Sequence, residues 1–324
     1  MPFTRLLPTA LFLALVPASA RADAPSDRPR VRSLRIVILS TMLADEGIGE
    51  WGFAALVEVD GERILFDTGA RPTTVLENAR EMKVDLAGVE DVVLSHNHSD
   101  HTGGLLTLRR DLGRSSAGSL CRAHVGRGIF WSRPGANGGG ENNFVVDIRA
   151  EYEKSGGVFV EHDGPVQLRP GVWITGPVPR LHPEHNWSGT GRVRAPDGLV
   201  EDNVPEDQLL VFDTDRGLVI LAGCGHAGIV NTVELARRAV REAPVHAIVG
   251  GLHLFPLDDE RLDWTADKLR AFGLENLLGA HCTGLEAVYH LRARNGLSRK
   301  RAVVGAVGAT FELGKGIDPR ELAH

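Results

Sequence analysis

The chain is poor in cysteine, tyrosine and methionine. It holds three, two and three of them in 324 residues. Cys121, Cys224 and Cys282 form an odd and sparse set, which excludes a disulfide framework as the source of the fold. Positive charge is also in the minority: 36 Lys and Arg against 42 Asp and Glu leave a net charge of −6. That balance lacks the basic clustering of a nucleic-acid footprint. The densest basic run, Arg299-Lys300-Arg301, is short and reads as a solvated turn or helix end. Beyond the first residues, no apolar segment is long enough for a transmembrane helix. No Gly-x-Ser-x-Gly elbow occurs, so nothing points to a serine nucleophile. What the chain does have is 43% hydrophobic and 24% charged residues, a globular composition. Its length fits one large domain or two ordinary ones.

The N-terminus departs from the rest. Arg5 precedes an apolar stretch, Leu6 to Val16, interrupted by Pro8, and small residues follow at Ala18-Ser19-Ala20 and Ala22-Asp23-Ala24. This is the pattern of a secretory signal peptide over residues 1–24, with cleavage after Ala20 or Ala24. The expectation is an exported, periplasmic or secreted protein, with a polar linker over 25–32 and a mature chain that does not span the membrane.

From residue 33 two halves repeat one order. Leu34–Ser40 reads as a strand, and Phe53–Val59 and Arg63–Phe66 as a hairpin joined by Asp60-Gly61. Thr73–Met82 has helical spacing, and Asp91–Leu94 is a short apolar strand that ends where histidines begin. The second half has a hairpin over Gln208–Phe212 and Leu218–Leu221, a helix over Ile229–Arg241, and a strand over Val245–Val249 before His253. A helix over Arg261–Phe272, a strand over Asn276–Leu278 before His281, a helix over Leu285–Arg294 and a last strand over Ala302–Val307 follow. Two mixed sheets packed face to face, with helices outside, would bury both sets of strands and bring the polar strand ends together. A doubly wound parallel sheet is the alternative, disfavoured by the two hairpins. Between the halves, Ser115–Pro170 is less regular, and Gly135-Ala136-Asn137-Gly138-Gly139-Gly140 cannot hold a rigid element. A lid insertion around 115–170, with Phe130 and Trp131 as an apolar wall, is one expectation; a plain flexible loop is the other.

The chemistry concentrates in Ser95-His96-Asn97-His98-Ser99-Asp100-His101-Thr102-Gly103-Gly104. Neutral imidazoles and a carboxylate suit zinc, iron or manganese. In an extended turn, His96 and His98 can project to one side and bind one ion. Asp100 and His101 can face a second ion as the chain enters a helix. Gly103 and Gly104 allow close backbone approach. His226, in a glycine-rich turn after a strand, His253 and His281 are candidates for the remaining ligands. His253 could instead contact substrate. Cys224 and Cys282 sit beside His226 and His281, which invites a metal-site role; a Cys224–Cys282 disulfide is the alternative if the two loops converge.

His96-Asn97-His98-Ser99-Asp100-His101 resembles the HxHxDH motif of the metallo-β-lactamase superfamily, and Asp67-Thr68-Gly69 resembles its upstream strand-end aspartate. Gly223-Cys224-Gly225-His226-Ala227-Gly228, Gly250-Gly251-Leu252-His253 and His281-Cys282-Thr283-Gly284 are similar to signatures of a subgroup that includes dihydropterin–aminobenzene ribose phosphate synthases. The resemblance implies an α/β fold, the αββα sandwich, and a site for divalent metal, two zinc ions in the first instance, with iron or manganese as alternatives. It implies that His281 is the last ligand, that Asp67 orients a ligand imidazole, and that Cys224 stands where the superfamily often carries a bridging aspartate. The chain departs from the subgroup at Glu50-Trp51-Gly52-Phe53-Ala54, where Glu-His-Gly-Leu-Ser is common. That puts a pterin-type substrate in question.

The function expected is hydrolysis of a small ester, lactone, amide or phosphoester by metal-activated water, with Asp100 as the catalytic carboxylate. Metal-dependent group transfer and non-catalytic metal binding are the alternatives. His124, Trp131 and Arg180 are the expected substrate contacts, Arg180 through its planar fork.

Overall fold

The computed structural model describes residues 28–135, 139–187 and 189–323. The signal-peptide reading and residues 25–27 of the linker lie outside them. Among the described residues no helix is long and apolar enough to cross a membrane.

The first half supplies β1 (Leu34–Ser40), β2 (Ala54–Val59), β3 (Glu62–Phe66), α1 (Thr74–Glu81), β4 (Asp91–Val93), α2 (Ser99–Thr102), α3 (Leu105–Gly113), β5 (Arg122–Gly126), α4 (Phe144–Lys154) and β6 (Val158–His162). The second supplies β7 (Val166–Arg169), β8 (Val172–Ile174), β9 (Arg192–Ala195), β10 (Gly198–Glu201), β11 (Leu210–Thr214), β12 (Gly217–Ala222), α5 (Ile229–Ala239), β13 (Val245–Gly250), α6 (Asp259–Ala271), β14 (Asn276–Gly279), α7 (Leu285–Asn295), β15 (Ala302–Val304), β16 (Thr310–Glu312) and β17 (Gly316–Asp318). One sheet runs β17-β16-β1-β2-β3-β4-β5-β6, the other β15-β14-β13-β12-β11-β8-β7, and β9-β10 is a separate hairpin.

The β2–β3 hairpin shows why the local sequence dictates the element. Val59 pairs with Glu62 across Asp60 and Gly61, which both take positive φ, 47° and 87°. A two-residue turn of that hand matches strand twist, and Asp-Gly adopts it readily. Strands β1, β2, β11 and β12 then bury residues on both faces, so three apolar layers form. The inter-sheet layer joins Ile36, Phe53, Val57 and Phe66 to Phe212, Val219, Leu221 and Val249. It draws on both halves of the chain. α1, α3 and α4 cover the outer face of the first sheet, and α5, α6 and α7 that of the second. This is the sandwich expected from the repeated order.

Two expectations need correction. Ala302–Val304 is not the last strand: the chain returns as β16 and β17 to the first sheet, where Phe311 pairs with Ile36 and is fully buried. Each of these strands has only three residues, too few to show an alternation. Residues 115–170 are also more regular than their glycines suggest, holding β5, α4, β6 and β7. Asn143 caps α4 by accepting from Val145 N–H, and Val145, Ile148 and Tyr152 bury one helical face.

Candidate metal centre

The parallel strands β3 and β4 of one sheet and β12, β13 and β14 of the other all point their C-terminal ends at one edge of the sandwich. In α/β sheets such ends leave backbone and side chains free to converge on a ligand. Asp67 follows β3 and Ser95–His98 follow β4. Cys224 and His226 follow β12, His253 follows β13, and His281 follows β14. Asp67, His253 and His281 hold positive φ of 55°, 48° and 47°. Such backbone strain in non-glycine residues persists where surrounding structure over-determines it, as at functional sites.

The residues gather in two groups. The ring centroids of His96, His98 and His226 lie 4.5, 4.7 and 5.0 Å apart, and their ligand nitrogens lie within 4.8 Å of one another. Asp100, His101 and His281 make the second group, within the same span. Asp100 Oδ2 is 3.3 Å from His281 Nε2 and 3.9 Å from His101 Nε2. Cys224 Sγ stands between the groups, 3.1 Å from His101 Nε2, and forms further groups with His226 and His253 and with His281 and Cys282.

What these side chains lack is as informative as what they touch. His96 Nε2, His226 Nε2, His253 Nδ1 and both nitrogens of His281 are buried and make no hydrogen bond, although Asp100 Oδ2 is close to His281. Orphaned buried polar atoms are costly unless something else satisfies them. For two of these rings the opposite nitrogen is held: His96 Nδ1 lies 2.8 Å from Ser95 Oγ, and His226 Nδ1 bonds the Asn186 carbonyl. A partner on one nitrogen fixes the tautomer and aims the other as a ligand. The residues therefore fit divalent metal.

Asp67 is buried and ties this arrangement together. Its Oδ1 accepts Ser95 N–H at 2.7 Å, while Oδ2 accepts Ser95 Oγ–H and faces His101 Nδ1, both at 2.7 Å. The adjacent backbone is locked as well, with Thr68 N–H donating to the His101 carbonyl at 2.7 Å. Glycine is required at two contacts here. A Cβ on Gly103 would overlap the Ala70 carbonyl, and one on Gly223 would overlap Ser95 Oγ and Asp67 Oδ2.

Burial keeps three of the rings neutral. It lowers the pKa values of His96 and His226 and brings that of His98 down to about 4. A neutral imidazole is the form that donates a lone pair to metal. For His101 burial also opposes charge, but Asp67 and Asp100 outweigh it and raise the pKa to about 9. For Asp100 burial favours the acid, and His101 and His281 overcome it, so the group is a carboxylate.

A buried ion-pair chain supports the loop from behind. Glu206 Oε1 accepts Asn97 N–H at 3.1 Å, and its Oε2 meets Arg133 at 2.6 Å. Arg133 Nε in turn meets Asp202 at 2.7 Å. The centre opens into a cleft of about 1010 Å³ whose walls include His98, His226 and His253 beside Trp187, Arg192 and Phe255.

The structure thus brings together His96, His98, Asp100, His101, His226, His253, His281, Cys224 and Asp67. Three expected substrate contacts do not line this cleft. His124 has both ring nitrogens engaged, with Asp91 Oδ1 at 2.9 Å and His162 Nε2 at 3.0 Å. Its neighbours Ala123 and Val125 face the helices, so alternation turns His124 to the other face of the sheet. The Arg180 guanidinium hydrogen-bonds the carbonyls of Asn203 and Val204 and lies over the Trp187 ring, bracing the cleft wall from outside. Trp131 packs back on Gly128 while its carbonyl accepts from Arg133 and Asn143. From residues 115–170, Arg133, Pro134, Gly135 and Asn142 are the described residues at the cleft. Sequence reading overlooked Trp187, Arg133, Glu206 and Asn186. An acidic residue next to the Asp207-Gln208 strand start was the one available signal among these.

A sequence model of the Metallo-beta-lactamase superfamily matches residues 52–240. The chain is 29% identical over 269 residues to the 7,8-dihydropterin-6-methyl-4-(beta-D-ribofuranosyl)-aminobenzene-5'-phosphate synthase of Methanocaldococcus jannaschii, covering 80% of this chain and 90% of that protein. It is 29% identical over 248 residues to an uncharacterized protein of the same organism, covering 75% and 88%. Among solved structures, a metal-dependent hydrolase of the beta-lactamase superfamily matches with a TM-score of 0.69 and 26% identity, over 86% of this chain and 98% of that one. The Zn(2+)-bound PqqB of Methylobacterium extorquens shares the fold, with a TM-score of 0.50 and 14% identity over 85% and 99% of the two chains. The match over residues 52–240, on a sandwich whose strand ends gather these histidines, places the chain in the metallo-beta-lactamase superfamily.

Proposed function

We propose that the chain is a metal-dependent hydrolase acting on a small ester, lactone, amide or phosphoester. The observation that carries this reading is the pair of three-residue groups at the cleft floor, with unpartnered imidazole nitrogens among them. His96, His98 and His226 would hold one divalent ion, and Asp100, His101 and His281 the other, with zinc, iron or manganese as candidates. When bound, such ions lower the pKa of a water towards ~7 and polarise a carbonyl or phosphoryl oxygen.

The chain's own residues do the rest. Asp67 holds the proton of His101 at Nδ1, which leaves Nε2 as the ligand atom. The Asp100 carboxylate is partly exposed and kept ionised by its two imidazole neighbours, so it can accept a hydrogen bond from a water and orient it. Trp187 and Phe255 provide apolar walls, and Arg192 supplies a positive charge at the rim.

Group transfer is the second reading, favoured by the synthase relative that spans 80% of this chain. Trp51, in place of the subgroup's histidine, counts against the same substrate. The test is turnover by metal-loaded protein of simple esters, lactones and phosphoesters, without a second substrate. Product release with water as the sole acceptor supports hydrolysis. Turnover that requires an added aromatic amine or pterin acceptor moves the reading to transfer. The export expectation enters as part of the proposal, carried by Leu6–Val16 and the small residues after it.

A further inference from the structure

Strands β12 to β15 run parallel, so the edge opposite the metal centre collects the residues at which they begin. Arg216 precedes β12, His246 is the second residue of β13, Glu275 precedes β14, and Lys300 and Arg301 precede β15. The turn between β16 and β17 adds Lys315 from the first sheet. These side chains line one cavity of about 290 Å³. Four cations face a single carboxylate there, in a chain whose net charge is −6. Arg301 Nη1 lies 4.0 Å from Glu275, and Lys315 Nζ lies 2.7 Å from Glu312. Among the described residues no ion pair engages Arg216 or Lys300. Like charges gathered in one cleft raise its potential and attract counter-ions.

His246 gives the cavity a built floor. β12 and β13 slip by one residue at this point: Leu218 stands opposite Val245, and Val219 opposite Ala247. His246 is the extra residue, and a bulge of this kind re-aims a side chain. Its ring packs edge-on against Phe311 of the first sheet, with centroids 5.9 Å apart, and Asn276 Nδ2 donates to its carbonyl at 2.9 Å. The residue is 6% exposed, and its Nδ1 makes no hydrogen bond although Glu275 Oε2 is 3.3 Å away. Burial lowers its pKa against the pull of Glu275, so the ring is neutral and keeps one N–H to donate.

We propose that this cavity is a second ligand site, which binds a compact polyvalent oxyanion of the phosphate class. The guanidinium forks of Arg216 and Arg301 match two oxygens of such an ion, and Lys300 and Lys315 act as point charges. His246 adds a neutral donor at the base. Ile317 is the apolar side chain at the cavity, and among the described residues no Trp, Tyr or Phe lines it. A nucleotide base therefore finds no stacking platform, and a small ion or a small phosphorylated molecule fits better. From His246 to the end of β13 at Gly250 the strand advances roughly 13 Å, at about 3.3 Å per residue. A compact anion bound at His246 thus stays clear of the ligands beyond that strand end, and the proposal stands independently of the chemistry assigned to the metal centre.

The experiment titrates the full chain calorimetrically with inorganic phosphate and with glycerol 1-phosphate, at fixed ionic strength. The wild type is compared with the pair Arg216→Gln and Lys300→Gln, and with the pair Lys83→Gln and Lys154→Gln. The second pair removes the same charge from exposed positions elsewhere. We expect saturable binding to the wild type, weakened at least about tenfold by the first pair and within about twofold of wild type in the second. Bound phosphate should also shield Lys300 from acetylation, read by mass spectrometry, while Lys83 and Lys154 react as before. Tighter binding of glycerol 1-phosphate assigns the cavity to a phosphorylated molecule, and equal affinity assigns it to the free ion. Equal weakening by both pairs overturns the proposal, because the anion then answers to net charge alone. Binding abolished by His98→Ala overturns it too, by placing the anion on the metal centre, as does an absence of saturable binding. If the first pair misfolds, wild-type protection decides: Lys300 left reactive at saturating phosphate overturns the proposal.

Discussion

Replacing Asp67 by Asn changes one atom and tests how the ligand loop is set. In the wild type Asp67 Oδ2 faces His101 Nδ1 at 2.7 Å, and both carboxylate oxygens accept from Ser95 at 2.7 Å. The carboxylate only accepts, so when metal displaces a proton from His101 it is the one on Nε2 that leaves, while Nδ1–H stays on Asp67. An Asn keeps an oxygen for Ser95 N–H but puts an N–H₂ where Oδ2 stood. Two donors then meet, and relief comes only if His101 moves its proton to Nε2. That tautomer cannot ligate. Loss of such a supporting partner weakens metal binding by about 10–100-fold, or about 1.4–2.8 kcal/mol at about 1.4 kcal/mol per decade. The effect should fall mainly on the ion at His101, because His96 meets Asp67 only indirectly, through Ser95 Oγ. Competition titration with a chromophoric chelator reads both equivalents separately. We expect the first to bind as in the wild type and the second to weaken. Two equivalents bound with wild-type affinity in Asp67→Asn would refute the reasoning, because Asp67 would then have no part in aiming His101.

Three further predictions concern the scaffold. Arg133→Met leaves Glu206 buried without its cation, and breaking such a pair costs about 3–5 kcal/mol; urea unfolding should show this, and adding Glu206→Gln should restore part of it. Gly103→Ala drives a Cβ into the Ala70 carbonyl, so a loss of about 1–3 kcal/mol or more is expected in the same assay, with weaker metal binding. Glu184 sits at the start of α5, accepting Val230 and Asn231 N–H, and burial raises its pKa from 4.5 to about 7. The folded state then holds the proton more tightly than the unfolded one. Its contribution is complete below pH 4.5 and disappears as pH rises through 7. Unfolding midpoints across that window should show a shallower decline with pH in Glu184→Gln than in the wild type; an unchanged slope would contradict the assignment.

Much of this architecture is legible in the residues because local chemistry and global packing agree. Asp60-Gly61 dictates a tight hairpin wherever it falls between apolar alternations, and the observed turn has both residues at positive φ. The apolar strands that end in histidine mark the edge where both sheets deliver ligands. Other features depend on contacts between segments far apart in the chain. β16 and β17 are too short to carry a period, and only pairing with β1 gives them a place. Arg133 and Glu206 lie 73 residues apart and look like surface charges until the fold buries them together. His124 resembles a cleft residue in sequence, yet its register in β5 hands it to Asp91 and His162. Arg180 has the chemistry of an anion clamp, but nearby carbonyls claim its fork first. In each case the residue type was informative about what it could bind, and the tertiary neighbours decided what it does bind.

The most direct test of the account is metal content, measured by elemental analysis on protein purified without added metal, for the wild type and His98→Ala together. The account predicts about two equivalents of zinc, iron or manganese in the wild type and a marked loss in the variant, as expected where His96, His98 and His226 share one ion. A wild-type protein that holds no metal and takes up none on titration would contradict it.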